Sequence, residues 1–338
     1  MNKYIITTLS ALLFFSGIAN AQELSWSDFS ESDTLSRSAS MIFSWDANRA
    51  VVEKDGVKYR YISVTSNLVS AQVKPECKTP VELEHCQMLA DYSKAWAEAL
   101  QDTLLFVKKD AKDVVDLFKN RYMDGLKEGD ATGVYPFPPK QETPFDITKI
   151  DYKIAKNGVE FGVGVTGILP LSGFGELVSP IPAVNVSIGR IFNQSPIVLN
   201  ALVGRGVVKE KYLHVSGPRR EKPLPYFNLS VNCYHPLMDN GKSRLLVCGG
   251  LGYTMTKFSR LETEYVDTNV NGLDLSAGIA YDLHRGTTYN LEGNHTNLQN
   301  KYLRFRLYTD QILTKTAWMP TVNLSVSLIS SGRSLNRN

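Results

Sequence analysis

Apolar and polar residues alternate along most of the chain between Val159 and Ile329. A period of two is what a β-strand with two different faces requires, because successive side chains point to opposite sides. The clearest copy is LDLSAGIAYD, residues 273–282. Gly, Pro, Asn and Asp cluster between the runs, as expected for turns. The pattern predicts a large antiparallel sheet.

Eight alternating runs are present in this region. They are centred on residues 159–166, 184–189, 197–213, 227–234, 245–258, 273–282, 302–312 and 322–328. An even number of strands of about ten residues, joined by turns, fits an up-and-down antiparallel β-barrel. We therefore predict a barrel over residues 159–329, followed by a polar tail over 330–338.

A different period marks residues 81–128, where apolar residues recur at steps of three and four, close to one helical turn. They are Leu89, Tyr92, Trp96, Leu100, Leu104, Val107, Ala111, Val114 and Phe118. This predicts a long amphipathic helix or, if it breaks near Lys108, a helical hairpin. Its apolar stripe would pack within its own domain or dock on the barrel or another protein. The fold class is α+β, with a helix-dominated region over 22–133 before the barrel.

Residues 134–158 connect the two regions. Pro136, Pro138, Pro139 and Pro144 lie close together there, and proline favours extended, unpaired backbone. We predict a linker and a domain boundary.

The first residues predict export. Lys3 precedes an apolar stretch from Ile5 to Ile18, and Ala19-Asn20-Ala21 fits the small-x-small cleavage pattern. We predict a signal peptide over 1–21, with the mature chain beginning near Gln22. The alternative is an uncleaved anchor, but this stretch is shorter than the roughly twenty residues that a spanning helix needs.

The polar face of the strands distinguishes a membrane barrel from a soluble one. It carries mainly Gly, Ser and Asn, together with the charged residues Glu160, Asp274, Asp282, Arg304 and Arg306. A soluble exterior would carry many Lys and Glu side chains, whereas small residues and paired charges suit a narrow lumen. Arg304 and Arg306 could pair with Asp274 and Asp282 as a structural element, or form a selectivity or substrate-binding ring.

Aromatic residues near strand ends support a membrane barrel, since such barrels carry aromatic girdles at both interfaces. The candidates are Tyr253, Tyr281, Tyr302, Tyr308 and Trp318. The region resembles the small eight-stranded outer-membrane barrels of Gram-negative bacteria. The resemblance implies location in the outer membrane and contact with outer-membrane lipid. A soluble periplasmic or secreted barrel that carries an apolar ligand is the alternative.

Four cysteines suit disulfides in an oxidising compartment. Cys77 and Cys86 could close a small loop. If Asn240-Gly241 is a two-residue turn, Cys233 lies opposite Cys248, although alternation puts the two on different faces. We predict this second bond together with a β-bulge that reverses the parity. Because no second metal-ligand pair lies near Cys86, we predict no metal and no cofactor.

One constellation could carry chemistry. His214 and Ser216 share a side of a strand, and a hairpin could bring Asn228 alongside, which would allow the histidine to activate the serine. The spacing is similar to that in outer membrane phospholipase. A lipid hydrolase is thus one hypothesis; the other is a non-enzymatic envelope protein that acts through its loops and N-terminal region.

The net charge of +3 is small for 338 residues, and it creates no basic field of the kind that binds nucleic acid. The expected partners are outer-membrane lipid and another envelope or extracellular protein, with no nucleic acid.

Overall fold

A computed structural model describes residues 23–105, 111–139, 146–209, 223–257, 269–292, 296–315 and 318–337. The chain forms two compact units. The first comprises Met1–Ala50 and Tyr61–Asp146, and the second comprises Val51–Arg60 and Ile147–Asn338. The predicted signal peptide lies outside the described residues.

The first unit contains a long β-hairpin. A short strand β1 (Ser30–Glu31) precedes β2 (Ala39–Lys54) and β3 (Val57–Val73), and β1 pairs in parallel with β3. Asp55 and Gly56 connect β2 and β3 with φ angles of 54° and 76°, and Asp-Gly favours this positive-φ hairpin turn. The tip of the hairpin, Val51–Arg60, belongs to the second unit.

Two helices follow, α1 (Pro80–Leu104) and α2 (Ala111–Thr132). Thr79 caps α1, because its Oγ1 accepts a hydrogen bond from the Glu82 backbone N–H at 3.3 Å. The predicted break near Lys108 lies outside the described residues. The N-terminal region is not dominated by one long helix over 81–128: it contains two helices of 25 and 22 residues together with hairpin strands of 16 and 17 residues.

The helices bury their apolar stripes within the first unit. One core cluster joins Leu100 and Leu104 of α1 to Phe118 of α2 and Val64 of β3. A second joins Cys86 of α1 to Val73 of β3 and Phe29. The spacing of three and four predicted this stripe, and the structure gives it an intradomain partner.

The second unit is an eight-stranded barrel. Its strands are β4 (Tyr152–Pro170), β5 (Ile181–Phe192), β6 (Ser195–Val207), β7 (Pro223–Asp239), β8 (Ser243–Lys257), β9 (Asn269–Leu291), β10 (Asn297–Thr314) and β11 (Trp318–Arg337). Six predicted runs lie within one of these strands, whereas the third (197–213) extends past the end of β6 and the fifth (245–258) past the end of β8, in both cases into residues outside the described range. A short helix α3 (Ser172–Leu177) separates β4 from β5.

The barrel is closed. Neighbouring strands pair in antiparallel order from β4 to β11, and β11 pairs back with β4. Closure removes the unpaired edges that a sheet of long strands would otherwise expose. This confirms the predicted up-and-down topology.

Two predicted boundaries are wrong. The linker was expected to extend to residue 158, but β4 begins at Tyr152. The polar tail was expected over 330–338, but β11 continues to Arg337, where it still pairs with Tyr152. Polar residues extend these strands because the lumen-facing side of the sheet is itself polar.

The barrel is inside-out relative to a soluble protein. Its outer face carries exposed apolar side chains, including Phe161, Val163, Val184, Val186, Ile188, Leu229, Val231, Leu251, Ile279, Leu307, Leu324 and Leu328. Its lumen buries polar ones, including Thr166, Asn185, Ser187, Asn200, Ser230, Asn232, Ser276, Asn323, Ser325 and Ser327. This distribution is favourable only when lipid surrounds the barrel, because the apolar outer face then contacts hydrocarbon instead of water.

In the described part of the chain, no helix combines the length and apolar character needed to cross a membrane.

Candidate functional site

The lumen has a terminus end, where β4 begins and β11 ends, and a loop end, where α3 lies. Near the terminus end Arg304 bridges two carboxylates. Its Nη1 lies 2.7 Å from Glu160 Oε1, and its Nε lies 2.7 Å from Asp282 Oδ1. Arg244 adds a second contact to Asp282, from Nη2 to Oδ2 at 2.6 Å. All four side chains are buried.

Alternation of side chains builds this network. Arg304 and Asp282 are direct partners across β10 and β9, and Arg244 and Asp282 are direct partners across β8 and β9. Direct partners in antiparallel strands point to the same face, so three neighbouring strands bring their charges together. Glu160 comes from β4 and reaches Arg304 across the lumen.

The second predicted arginine has a different environment. Arg306 donates from Nη2 to Asn232 Oδ1 at 2.8 Å, and its guanidinium lies 3.7 Å from the ring centroid of Tyr308. Among the described residues no carboxylate lies within 4.0 Å of it. Its charge is stabilised by an amide oxygen and an aromatic face.

Two further carboxylates lie toward the loop end, each bound to an amide. Asn228 donates to Asp274 Oδ2 at 2.6 Å, and Asn323 donates to Asp310 Oδ2 at 2.7 Å. The Oδ1 atoms of Asp274, Asp310 and Asn323 are buried without a hydrogen-bond partner in the described structure.

An apolar plug closes the loop end of the lumen. Phe174 of α3 and Val178 pack in one buried cluster with side chains from several strands. The strand residues are Ile168, Ile181, Ala183, Leu202, Leu224, Tyr226, Ile312 and Met319. The helix therefore seals the barrel at the point where the polar lining ends.

Very little space remains inside. The polar space lined by Arg304, Arg306, Tyr308 and the serines of β11 measures about 20 Å³. A water molecule needs roughly 10–15 Å³ by the same measure. This part of the described lumen offers an apolar ligand neither room nor an apolar wall. A soluble carrier would need the apolar face of the strands to line its cavity, and this alternative is wrong because that face is exposed on the outside.

The structure contradicts both predicted disulfides, since all four cysteines are free. Cys233 lies opposite Gly249, and Cys248 lies opposite Tyr234. The predicted bulge is present between Pro236 and Met238, but the turn is also displaced by one residue, because the Asn240 N–H donates to Ser243 O. The cysteines thus remain on different faces, Cys233 exposed and Cys248 buried.

The hydrolase constellation is only partly described. His214 and Ser216 lie outside the described residues. Asn228 is a lumenal residue, 4% exposed, and its amide donates to Thr254 Oγ1 as well as to Asp274.

The aromatic prediction needs a correction. Tyr253, Tyr281 and Trp318 are exposed on the outside, where girdle residues belong. Tyr302 and Tyr308 are instead buried in the lumen, where Arg244 lies 4.0 Å from the Tyr302 ring and Arg306 faces Tyr308. Both tyrosines have even numbers on β10, like Arg304 and Arg306. Alternation along the strand therefore already predicts that they face the lumen.

Sequence reasoning missed several network residues. Asp310 continues the even-numbered series of β10, and alternation could have found it. Arg244 lies one residue before the predicted start of its strand. Asn232 and Asn323 belong to the polar face of their strands, and no pattern in one strand reveals the cross-strand partner of an asparagine.

No protein-family model matches this chain, and no curated protein is similar to it at a significant level. Among solved structures, Neisserial surface protein A matches at 9% identity with a TM-score of 0.36, over 52% of this chain and 97% of its own. The N-terminal β-barrel domain of Pseudomonas aeruginosa OprF matches at 11% identity with a TM-score of 0.29, over 52% of this chain and 99% of its own.

The architecture stands on the strand pairing itself. Eight antiparallel strands close into a ring, apolar side chains cover the outside, and charged side chains fill the lumen. This is the architecture of a membrane-spanning β-barrel. Its outer face matches the hydrocarbon of a bilayer, and its backbone hydrogen bonds are satisfied internally.

Proposed function

We propose that this protein is a non-enzymatic outer-membrane barrel with a binding, recognition or envelope-structural role. In this proposal the barrel anchors the chain in the membrane, and the loops and the N-terminal unit contact the partner. The partner would be another envelope or extracellular protein.

The filled lumen is the observation that carries the proposal. Arg304 ties β4, β9 and β10 together inside the barrel, and the apolar plug closes the loop end. Eight-stranded barrels generally leave an interior just wide enough for side chains. A barrel of this kind supports an anchoring role better than a transport role.

The N-terminal unit supports a role in binding. It has its own apolar core, so it does not depend on the barrel for a hydrophobic interior. Ile42 and Val69 on its strands and Leu117 and Met123 on α2 are exposed large apolar residues. Exposed apolar residues of this kind are typical of protein contact surfaces when they form a patch.

The anchoring role is tested by reconstituting the full-length protein in planar lipid bilayers. We expect insertion without a steady conductance. Heat-modifiable migration on a gel confirms that the same preparation is folded, since folded barrels resist unfolding in mild detergent. A steady ion current from folded wild-type protein would contradict the proposal and favour a pore.

The binding role is tested in cells with a photo-crosslinking amino acid at Val69. We expect a discrete adduct with another protein. The matched control carries the same amino acid at Ile188, which is equally exposed, at 61% against 62%, but lies on the lipid-facing belt. Absence of any protein adduct from Val69 and from the other three exposed apolar positions would contradict a binding surface on this unit.

A further inference from the structure

At the terminus end the ladder between β6 and β7 ends before β7 does. Pairing between these strands begins at Ile197 and Cys233. The next two positions toward the terminus end, Ser195 and Pro196, have no ladder partner in β7, although β7 itself continues to Asp239. Pro196 has no backbone N–H to donate, and proline commonly ends strand pairing.

Side chains replace the missing ladder. Continuing the register would set Ser195 opposite His235, and Ser195 Oγ lies 3.2 Å from His235 Nδ1. This hydrogen bond joins the strands at one point beyond the ladder, and a surface opening lies beside it. The opening is a groove of about 450 Å³ lined by Phe192, Ile197 and Val247 among others, which we call the lateral groove. That volume falls within the usual range for ligand pockets, about 300–1,000 Å³.

The lateral groove has an apolar wall and a polar end. Phe192, Ile197 and Val247 line it from the outer face, with Cys233 beside them. Tyr234 and Cys248, which belong to the lumen side of the wall, also line it, so the groove cuts into the wall. Ser195 and His235 supply the polar groups.

A positive charge lies next to the groove. Arg190 of β5 is the direct cross-strand partner of Ile197, so the two side chains share the outer face. Arg190 is exposed, and it lies two residues before the end of β5 at Phe192. An exposed arginine at a strand end on a lipid-facing surface is stable at the level of the headgroups, where it meets water and phosphate.

We propose that the lateral groove binds one phospholipid molecule of the surrounding bilayer. An acyl chain occupies the space between Phe192, Ile197 and Val247. The headgroup phosphate accepts hydrogen bonds from the Arg190 guanidinium and from the donors of Ser195 and His235 that are not used in the hydrogen bond between these two side chains. The occupant is a membrane lipid because the groove opens in the belt that already contacts lipid. Arginine provides the planar, permanently charged donor that phosphate recognition uses.

The experiment uses full-length protein folded in detergent and native mass spectrometry, with one phospholipid added in increasing amounts. We expect wild-type protein to retain a single phospholipid after detergent is removed. Ile197→Trp and Val247→Trp fill the groove and should abolish retention. Val184→Trp is the matched control, because Val184 is also an exposed valine of the belt but does not line the groove; it should retain the lipid.

Headgroup recognition is tested separately. Arg190→Gln should weaken retention roughly tenfold, as expected for the loss of one hydrogen bond from a charged donor. Diacylglycerol should bind wild-type and Arg190→Gln protein equally, since it has no phosphate. Inorganic phosphate alone should not bind, because the apolar wall contributes nothing to it.

Three results would overturn the proposal: wild-type protein that retains no phospholipid, equal retention by the two groove-filling variants and the control, or inorganic phosphate that binds as well as the phospholipid. A dimer that disappears with Ile197→Trp would assign the groove to a second copy of the chain instead. Heat-modifiable migration of each variant verifies that it is folded. Failure here leaves the anchoring role intact, because the bilayer conductance test is independent of the groove.

Discussion

Arg304 and Asp282 face each other across β10 and β9 and share two hydrogen bonds, from Nε to Oδ1 at 2.7 Å and from Nη2 to Oδ2 at 3.0 Å. The same guanidinium holds Glu160 with its remaining donors. One side chain therefore neutralises charges from two other strands inside a closed lumen. Removing it leaves the buried Glu160 carboxylate without its cation and leaves Asp282 with Arg244 alone.

Arg304→Met should destabilise the barrel by about 3–5 kcal/mol, the usual loss when one partner of a buried ion pair is removed. Denaturant unfolding of the detergent-folded protein measures this loss. Arg205→Met is the control, because Arg205 lies exposed on β6, and its loss should be within about 0.5 kcal/mol. A loss below about 1 kcal/mol for Arg304→Met would mean that the network is not a structural element.

Asp310→Asn should be neutral or stabilising. The new amide keeps an oxygen to accept from Asn323 and gains an NH₂ group in place of the orphaned Oδ1. That NH₂ group can donate to the orphaned oxygen of Asn323, and a buried charge is removed. The same unfolding experiment measures the change. Asp282→Asn is the contrast, since it removes the charge that two arginines require. Destabilisation by Asp310→Asn comparable to that of Asp282→Asn would contradict the hydrogen-bonding argument.

Gly278→Ala should destabilise the barrel by about 1–3 kcal/mol, as overpacking does in a tight core. A Cβ at residue 278 would lie 2.5 Å from Cβ of Tyr308 and 2.6 Å from its Cα, so β9 and β10 would have to separate. Gly167→Ala is the control, because a Cβ there meets no atom within 4 Å. Equal unfolding midpoints for the two variants would contradict the close approach of β9 and β10.

Ile188→Arg should destabilise the membrane-inserted protein by about 1–2 kcal/mol, because a charge on the lipid-facing side of a barrel is unfavourable and its cost decreases toward the headgroups, where Arg190 lies two residues away. Val69→Arg is the matched control at nearly the same exposure, 62% against 61%. It lies in the first unit and should be nearly neutral. Unfolding in lipid vesicles measures both, and equal effects would indicate that Ile188 faces water.

Cys86 should resist alkylation at neutral pH while exposed Cys233 reacts. Burial, and secondarily the nearby Glu82 carboxylate, raise the pKa of the Cys86 thiol from 9.0 to about 11, and the thiolate is the reactive form. Because the folded pKa is raised, the stability from keeping this thiol neutral is fully present below 9.0. It is lost as the pH rises to about 11. Alkylation kinetics of wild-type and Cys86→Ala protein identify the site, and rapid native labelling of Cys86 would contradict its burial.

The strands and the identity of their two faces could be predicted from sequence. Alternation of Leu273, Asp274 and Leu275 determines that one side is apolar and the other polar, whichever neighbours the strand acquires. The eight strands, their order as a meander and the inward direction of Glu160, Asp282 and Arg304 all follow from this local pattern. The apolar stripe of α1 and α2 is local in the same way.

Register across strands was decided only by tertiary structure. Cys233 and Cys248 illustrate the reason: the displaced turn shifts the pairing by two residues, and the bulge between Pro236 and Met238 shifts it back by one. Neither the bulge nor the position of the turn can be recognised from the alternation within a single strand. The pairing of Arg304 with Glu160, residues 144 apart in sequence, likewise exists only because β11 closes the ring onto β4. Alternation determines which side of a strand a residue occupies, whereas ring closure and register determine which residue it meets there.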